Sequence, residues 1–161
     1  MVPPTLPYSS PVPPVSLEFL DYLAKRFGKT REHMWEVVYY ASLNEDSIFP
    51  TKIDILAVIA VESGFDARAL HPKGPSVGLM QVNAGVHGGK GLYQPSTNVR
   101  RGSAILKKYW TYSHSRSTTF VVYNSGPGGA ILACPDMSKC STEYSGKVQQ
   151  VRREFAAHLK G

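Results

Sequence analysis

The chain has 161 residues, 42% of them hydrophobic, the size and make-up of one domain with a real core but short for the large parallel sheet of many hydrolases. Lys and Arg outnumber Asp and Glu by 18 to 12, for a net charge of +6 and a pI near 9.4, so the long-range field favours an anionic partner such as nucleic acid, acidic lipid or bacterial cell wall. The longest apolar run, Ile55 to Val61, is too short to cross a bilayer, which predicts a soluble domain with no stable membrane insertion.

The chain opens "MVPPTLPYSSPVPPV", with six prolines in its first fourteen residues and no basic region followed by an apolar stretch, so it is not read as a secretory signal peptide. Proline lacks the backbone donor that helices and central strands need, so residues 1–15 are expected to form an extended arm, with a single folded domain over 16–161. Ser16 then caps an amphipathic helix with Leu17, Leu20, Leu23, Ala24 and Phe27 on one face and Gly28 as its stop. Thr30 opens a second helix, apolar at Met34, Val37, Val38 and Ala41. In the third, Thr51 and Asp54 have capping-box spacing and the following residues are apolar nearly all round, the pattern of a buried central helix with Glu62 at its C-terminal end.

Residues 64–97 are rich in Gly and Pro and hold neither apolar period for long, which predicts a functional loop with at most a short hairpin. Helical patterns return over 98–110, 117–124, 127–133 and 146–159, so the fold class is mainly α. The basic pairs Arg100-Arg101, Lys107-Lys108 and Arg152-Arg153 fall within these helices as solvated faces, not as a block that would bind nucleic acid. Cys134 and Cys140 are separated by five residues. They are either a local disulfide or two free thiols, as the redox compartment decides.

Gly74-Pro75-Ser76-Val77-Gly78 matches the G-x-S-x-G of a serine nucleophile elbow, which needs a strand ending at the first glycine. Pro72 stands where that strand would enter and Pro75 restricts Gly74, so Ser76 is not read as a nucleophile. "AGVHGGKG" (84–91) lacks the leading Gly and closing Ser or Thr of a phosphate loop. The five histidines and two cysteines show neither i, i+4 pairing nor C-x-x-C, so neither a metal nor another cofactor is expected.

Glu62 follows seven apolar residues at the end of a helix expected to be buried, where desolvation and the helix dipole both disfavour the carboxylate and raise its pKa. A carboxylic acid kept protonated near neutrality can protonate the leaving oxygen of a glycosidic bond. Spacing alone leaves a second reading open, a packed stem whose head reaches solvent at a frayed helix end.

"ESGFDARALHPKGPSVGLMQVN" (62–83) resembles the first signature of soluble-type lytic transglycosylases, a Glu-Ser followed by Gly-Leu-Met-Gln. "NVRRGSAIL" (98–106), "VVYNSGPG" (121–128) and "YSGKV" (144–148) resemble the later signatures, in the same order. The resemblance implies a lysozyme-like helical fold of the goose-lysozyme type and, as substrate, the peptidoglycan glycan strand, cleaved between N-acetylmuramic acid and N-acetylglucosamine. It implies that Glu62 acts as acid and then as base, closing a 1,6-anhydro ring without water. Met80 and Gln81 would line the sugar subsite with Ser63, and Tyr123 and Asn124 would lie beside the acid. Asn98 would hold helix and loop together. Asn83 and His87 resemble members associated with phage or secretion machinery; His87 is read either as a histidine of the loop surface or as a residue facing the cleft.

An ordinary retaining or inverting glycosidase needs a second carboxylate at a set separation. The nearest acids in sequence are Asp54, two turns earlier, and Asp66, beyond the expected stop at Gly64; neither is clearly placed for that task. The expectation is therefore a monomeric, bacteriolytic transglycosylase. The rival readings are a muramidase on the same fold and a wall-binding or phage-tail module without activity. Its target lies outside the inner membrane, so delivery by phage, as an endolysin or virion component, or by a secretion apparatus is expected, unless a signal has been removed.

Overall fold

A computed structural model describes residues 15–159; the arm expected over 1–15 lies outside the described residues except for Val15, which is buried in the core. Among the described residues, seven helices run in the order α1 (Leu17–Phe27), α2 (Arg31–Asn44), α3 (Lys52–Ser63), α4 (Ala84–His87), α5 (Pro95–Ser113), α6 (Arg116–Ala133) and α7 (Glu143–Leu159). The only sheet among them is the antiparallel pair β1 (Ser76–Val77) and β2 (Val82–Asn83), with Ser76 opposite Asn83 and Val77 opposite Val82. The fold is mainly α with one short hairpin, as the patterning predicts.

The helix starts follow from side chains that accept orphan backbone donors. Ser16 accepts from the Phe19 amide at 3.2 Å, and Thr30 from the His33 amide at 3.0 Å. Thr51 and Asp54 form a reciprocal capping box, and Gly64 ends α3 in the left-handed conformation. Helix α5 begins three residues earlier than the apolar pattern suggests, because Pro95 occupies its first turn, where a missing N–H costs nothing. The expected break between 124 and 127 is real: Gly126 leaves helical geometry inside α6, immediately before Pro127.

Helix α3 has no polar face. Ile55, Leu56, Ala57, Val58 and Ile59 are all fully buried, with α7 and α2 packed against it. Phe19, Phe27 and Phe155 close the core from α1 and α7, while the Phe65 ring packs tilted against Phe27, with centroids 4.7 Å apart. Phe65 holds a left-handed backbone, with φ of 66°, and the His33 ring donates from Nε2 to its carbonyl at 2.7 Å. These contacts offset the strain of a bulky residue in that region and fix the chain as it leaves α3.

The first turn of α3 is stabilised by charge. Asp54 is fully buried and pairs with Arg116 of α6 at 3.1 Å and with Arg152 of α7 at 2.5 Å, while Arg116 also lies over the Phe49 and Trp110 rings. Its carboxylate is thus committed to structure at the far end of the helix from Glu62. Removing a buried charge leaves its partners uncompensated. Asp54→Asn, which keeps the side-chain shape, is therefore expected to cost about 3 kcal/mol of stability in urea denaturation, and a loss below about 1 kcal/mol would show that the cluster is dispensable.

Candidate active site

The C-terminal end of α3 opens into a cleft of about 390 Å³ with Glu62 in its lining. The lining also includes Ser76, Gln81, Val82 and Asn83 of the hairpin region, Val86 and His87 of α4, Ile105 and Tyr109 of α5 and residues 123–127 of α6. Five of the seven site residues expected from the sequence thus come together here: Glu62, Gln81, Tyr123, Asn124 and His87. No other carboxylate lines the cleft among the described residues. Asp66 lies beyond the Gly64 stop, where its side chain accepts from the Arg68 amide at 2.9 Å.

Glu62 is half-buried, and burial raises its pKa to about 7, against an opposing hydrogen bond from Tyr144. Tyr144 donates from its hydroxyl to Glu62 Oε2 at 2.6 Å. A donor to one oxygen favours the charged form and fixes the carboxyl plane, so a proton is best carried on the other oxygen, Oε1. Burial and the nearby Glu62 charge hold both the Tyr144 and Tyr123 hydroxyls well above the usual phenol range, so both remain donors.

The loop that faces Glu62 is held by Asn98. Its Nδ2 donates to the carbonyls of Val77 and Leu92, each at 2.8 Å, and its Oδ1 accepts from the Met80 amide at 2.8 Å. This is the helix-to-loop tie expected for it. Gly78 sits where this tie is tightest: its φ is 80°, and a Cβ there would lie 2.6 Å from the Leu92 carbonyl oxygen and closer still to Asn98 Nδ2. Only glycine fits. Gly74 has no such role, since its φ is not positive and a Cβ would meet only His71 at 3.6 Å, so of the two glycines in the G-x-S-x-G match only Gly78 is a hinge.

Two residues expected at the sugar subsite take other roles. The Met80 side chain is fully buried and packs on α5 so closely that a Cβ at Gly102 would meet Met80 Cβ at 2.8 Å. Its backbone is the part that serves the site, because Tyr123 donates to the Met80 carbonyl at 2.6 Å. Ser63 donates to the Leu79 carbonyl at 2.7 Å, tying α3 to the loop, and is not in the cleft lining. Gln81 does face the cleft, with φ of 50°, and spends its amide N–H groups on the carbonyls of Ala69 and Gly78, each at 3.0 Å.

His87 lines the cleft at the end of α4, which Arg101 anchors by donating to the carbonyls of His87 and Gly88. Burial and then the positive charges of Lys108 and Arg101 lower its pKa. Ser76 also lines the cleft, but it opens a strand instead of ending one, and among the described residues no histidine bonds its hydroxyl. No cluster of His, Cys, Asp or Glu able to hold a metal ion occurs among the described residues, nor a helix long and apolar enough to cross a membrane. Cys134 and Cys140 form a disulfide.

The family model described as Transglycosylase SLT domain matches residues 51–133, just over half of the chain. The chain belongs to the transglycosylase SLT domain family. Comparison with curated proteins and with solved structures returns no match. The SLT assignment carries a lysozyme-like helical fold and, at family level, transglycosylase-type cleavage of peptidoglycan. The matched span runs from the capping box of α3 to the end of α6 and includes every cleft-lining residue named above. Tyr144 lies beyond it. The sequence signal for Tyr144 was present in "YSGKV", but nothing local says that its hydroxyl reaches a glutamate 82 positions away.

If Tyr144 acts by stabilising the Glu62 carboxylate, Tyr144→Phe raises the Glu62 pKa further while keeping the ring packing. The expected result is that the alkaline limb of the kcat/KM profile moves to higher pH by roughly one unit, the worth of a hydrogen bond to a charged group. An unmoved limb would deny Tyr144 this role.

Proposed function

We propose that this SLT domain is a lytic transglycosylase that cleaves the bond between N-acetylmuramic acid and N-acetylglucosamine, with Glu62 as general acid and then general base. The observation that carries this reading is that a single carboxyl group lines the cleft among the described residues, with a pKa near 7. Two-carboxylate hydrolysis requires a partner acid roughly 5–10 Å away. One-carboxyl chemistry requires only that the same group give a proton and take one back.

In the first half, Glu62 passes its proton to the glycosidic oxygen as the C1–O bond of the muramic acid breaks and the N-acetylglucosamine side departs with its hydroxyl. In the second, the Glu62 carboxylate, held by Tyr144, removes the proton from the muramic C6 hydroxyl, whose oxygen bonds to C1. The protons balance, Glu62 ends as it began, and no water is consumed. A pKa near the working pH suits a group that must serve in both forms. Because Gln81 has committed its N–H groups to backbone carbonyls, its amide oxygen is left to accept from a sugar hydroxyl. Asn124, exposed in the cleft lining, and His87 add polar contacts to the strand.

The excess of basic residues supports attraction to a wall rich in carboxylates and phosphates, and the disulfide fits action in an oxidising compartment such as the periplasm or cell wall. Mass spectrometry of digested peptidoglycan tests the reading. Anhydro-ended fragments, one water lighter than reducing-ended ones, are expected, with a fall of about 10²–10⁴-fold in Glu62→Gln. Reducing-ended products would instead assign a muramidase, and full activity in Glu62→Gln would remove Glu62 from the mechanism.

A further inference from the structure

Tyr109 of α5 and Pro127 of α6 line both the cleft and a second depression of about 700 Å³, bounded by α5, α6 and a 3-10 turn at Met137–Lys139. The helical spacing of α5 explains the shared wall: Ile105 and Tyr109 face the glycan cleft, while Tyr109, Lys108 and Tyr112 face the second groove.

This groove is largely apolar, and its walls expose what a folded chain normally hides. Tyr112 is 78% and Ile131 66% exposed. The outer wall is held firmly, since Thr118 donates to the Met137 carbonyl and Ser117 to the Cys140 carbonyl, each at 2.6 Å, and the Cys134–Cys140 disulfide closes the loop between them. Lys108 lines the groove next to Tyr109, one of the two residues that the groove shares with the cleft.

The wall shared with the glycan cleft and the positive charge of Lys108 name the occupant, on the reading that the cleft holds peptidoglycan. A glycan strand in the cleft carries peptides on its muramic acids, and these substituents must leave over its walls. Such a peptide combines methyl-bearing side chains with carboxylates, which matches apolar walls beside an ammonium group. We propose that the groove seats the peptide substituent of the muramic acid held in the adjoining cleft, with its apolar groups against Tyr112 and Ile131 and a carboxylate near Lys108. The enzyme then prefers peptide-bearing strands to bare glycan.

The test compares native peptidoglycan with the same glycan stripped of peptides by an amidase, using the wild-type protein, Ile131→Glu and Tyr112→Ala. Both substitutions fall on exposed positions, so the fold is expected to survive. The expected result is a loss of about tenfold in kcat/KM on native strands for either variant, with no change on stripped glycan, as for a lost apolar contact in a specificity pocket. Wild-type cleavage of native strands alone would also support the groove. Equal activity of variants and wild type on native strands, or equal losses on both substrates, would overturn it. Wild-type protein that cleaves neither substrate would instead overturn the transglycosylase reading on which the groove depends.

Discussion

A helix without a polar face has to be surrounded, and the rest of this molecule is arranged to surround α3. Its two acidic side chains, Asp54 and Glu62, then lie at opposite ends of a low-dielectric interior, where a bare charge is costly. Helix α7 answers both. Arg152 pairs with Asp54 and Tyr144 bonds Glu62, so as residue numbers rise along α3 they fall by the same interval along α7. One antiparallel packing contact thereby sets the structural charge at one end and the chemical group at the other.

The two ends are solved differently. Asp54 meets two guanidinium groups and serves as a structural anchor. Glu62 meets only neutral phenol, so burial prevails and its proton is retained to about pH 7. That choice has a thermodynamic cost. An unfolded chain releases the Glu62 proton at the ordinary carboxylate pKa, well below the point at which the folded protein does, so folding stability declines as pH rises between the two and levels off above the folded value. A cation beside Glu62 would remove this penalty and, with it, the acid.

Those features that depend on neighbours in the chain were legible in the sequence. The apolar run of α3, its capping box, the Gly64 stop and the break at Gly126 all act within a few residues, and each is where the pattern puts it. Glu62 could be singled out for the same reason, because its burial follows from the helix that carries it. Met80 shows the limit of motif reading: adjacent loop residues point in different directions, and the close approach to Gly102 that draws Met80 into the core comes from another helix. The contact of Tyr144 with Glu62 and the partners of Asp54 are tertiary facts, fixed only once α6 and α7 pack. The text match around Ser76 failed for the converse reason, since its chemistry requires a strand-to-helix turn that the hairpin does not provide.

One-carboxyl chemistry requires Glu62 to remain protonated near neutrality inside the cleft. A carbon-detected NMR titration of the Glu62 side-chain carboxyl in the intact protein measures that directly. A midpoint near pH 7 is expected; a midpoint at the ordinary glutamate value of about 4.5 would contradict the account, because Glu62 would then be a charged surface residue and not an acid.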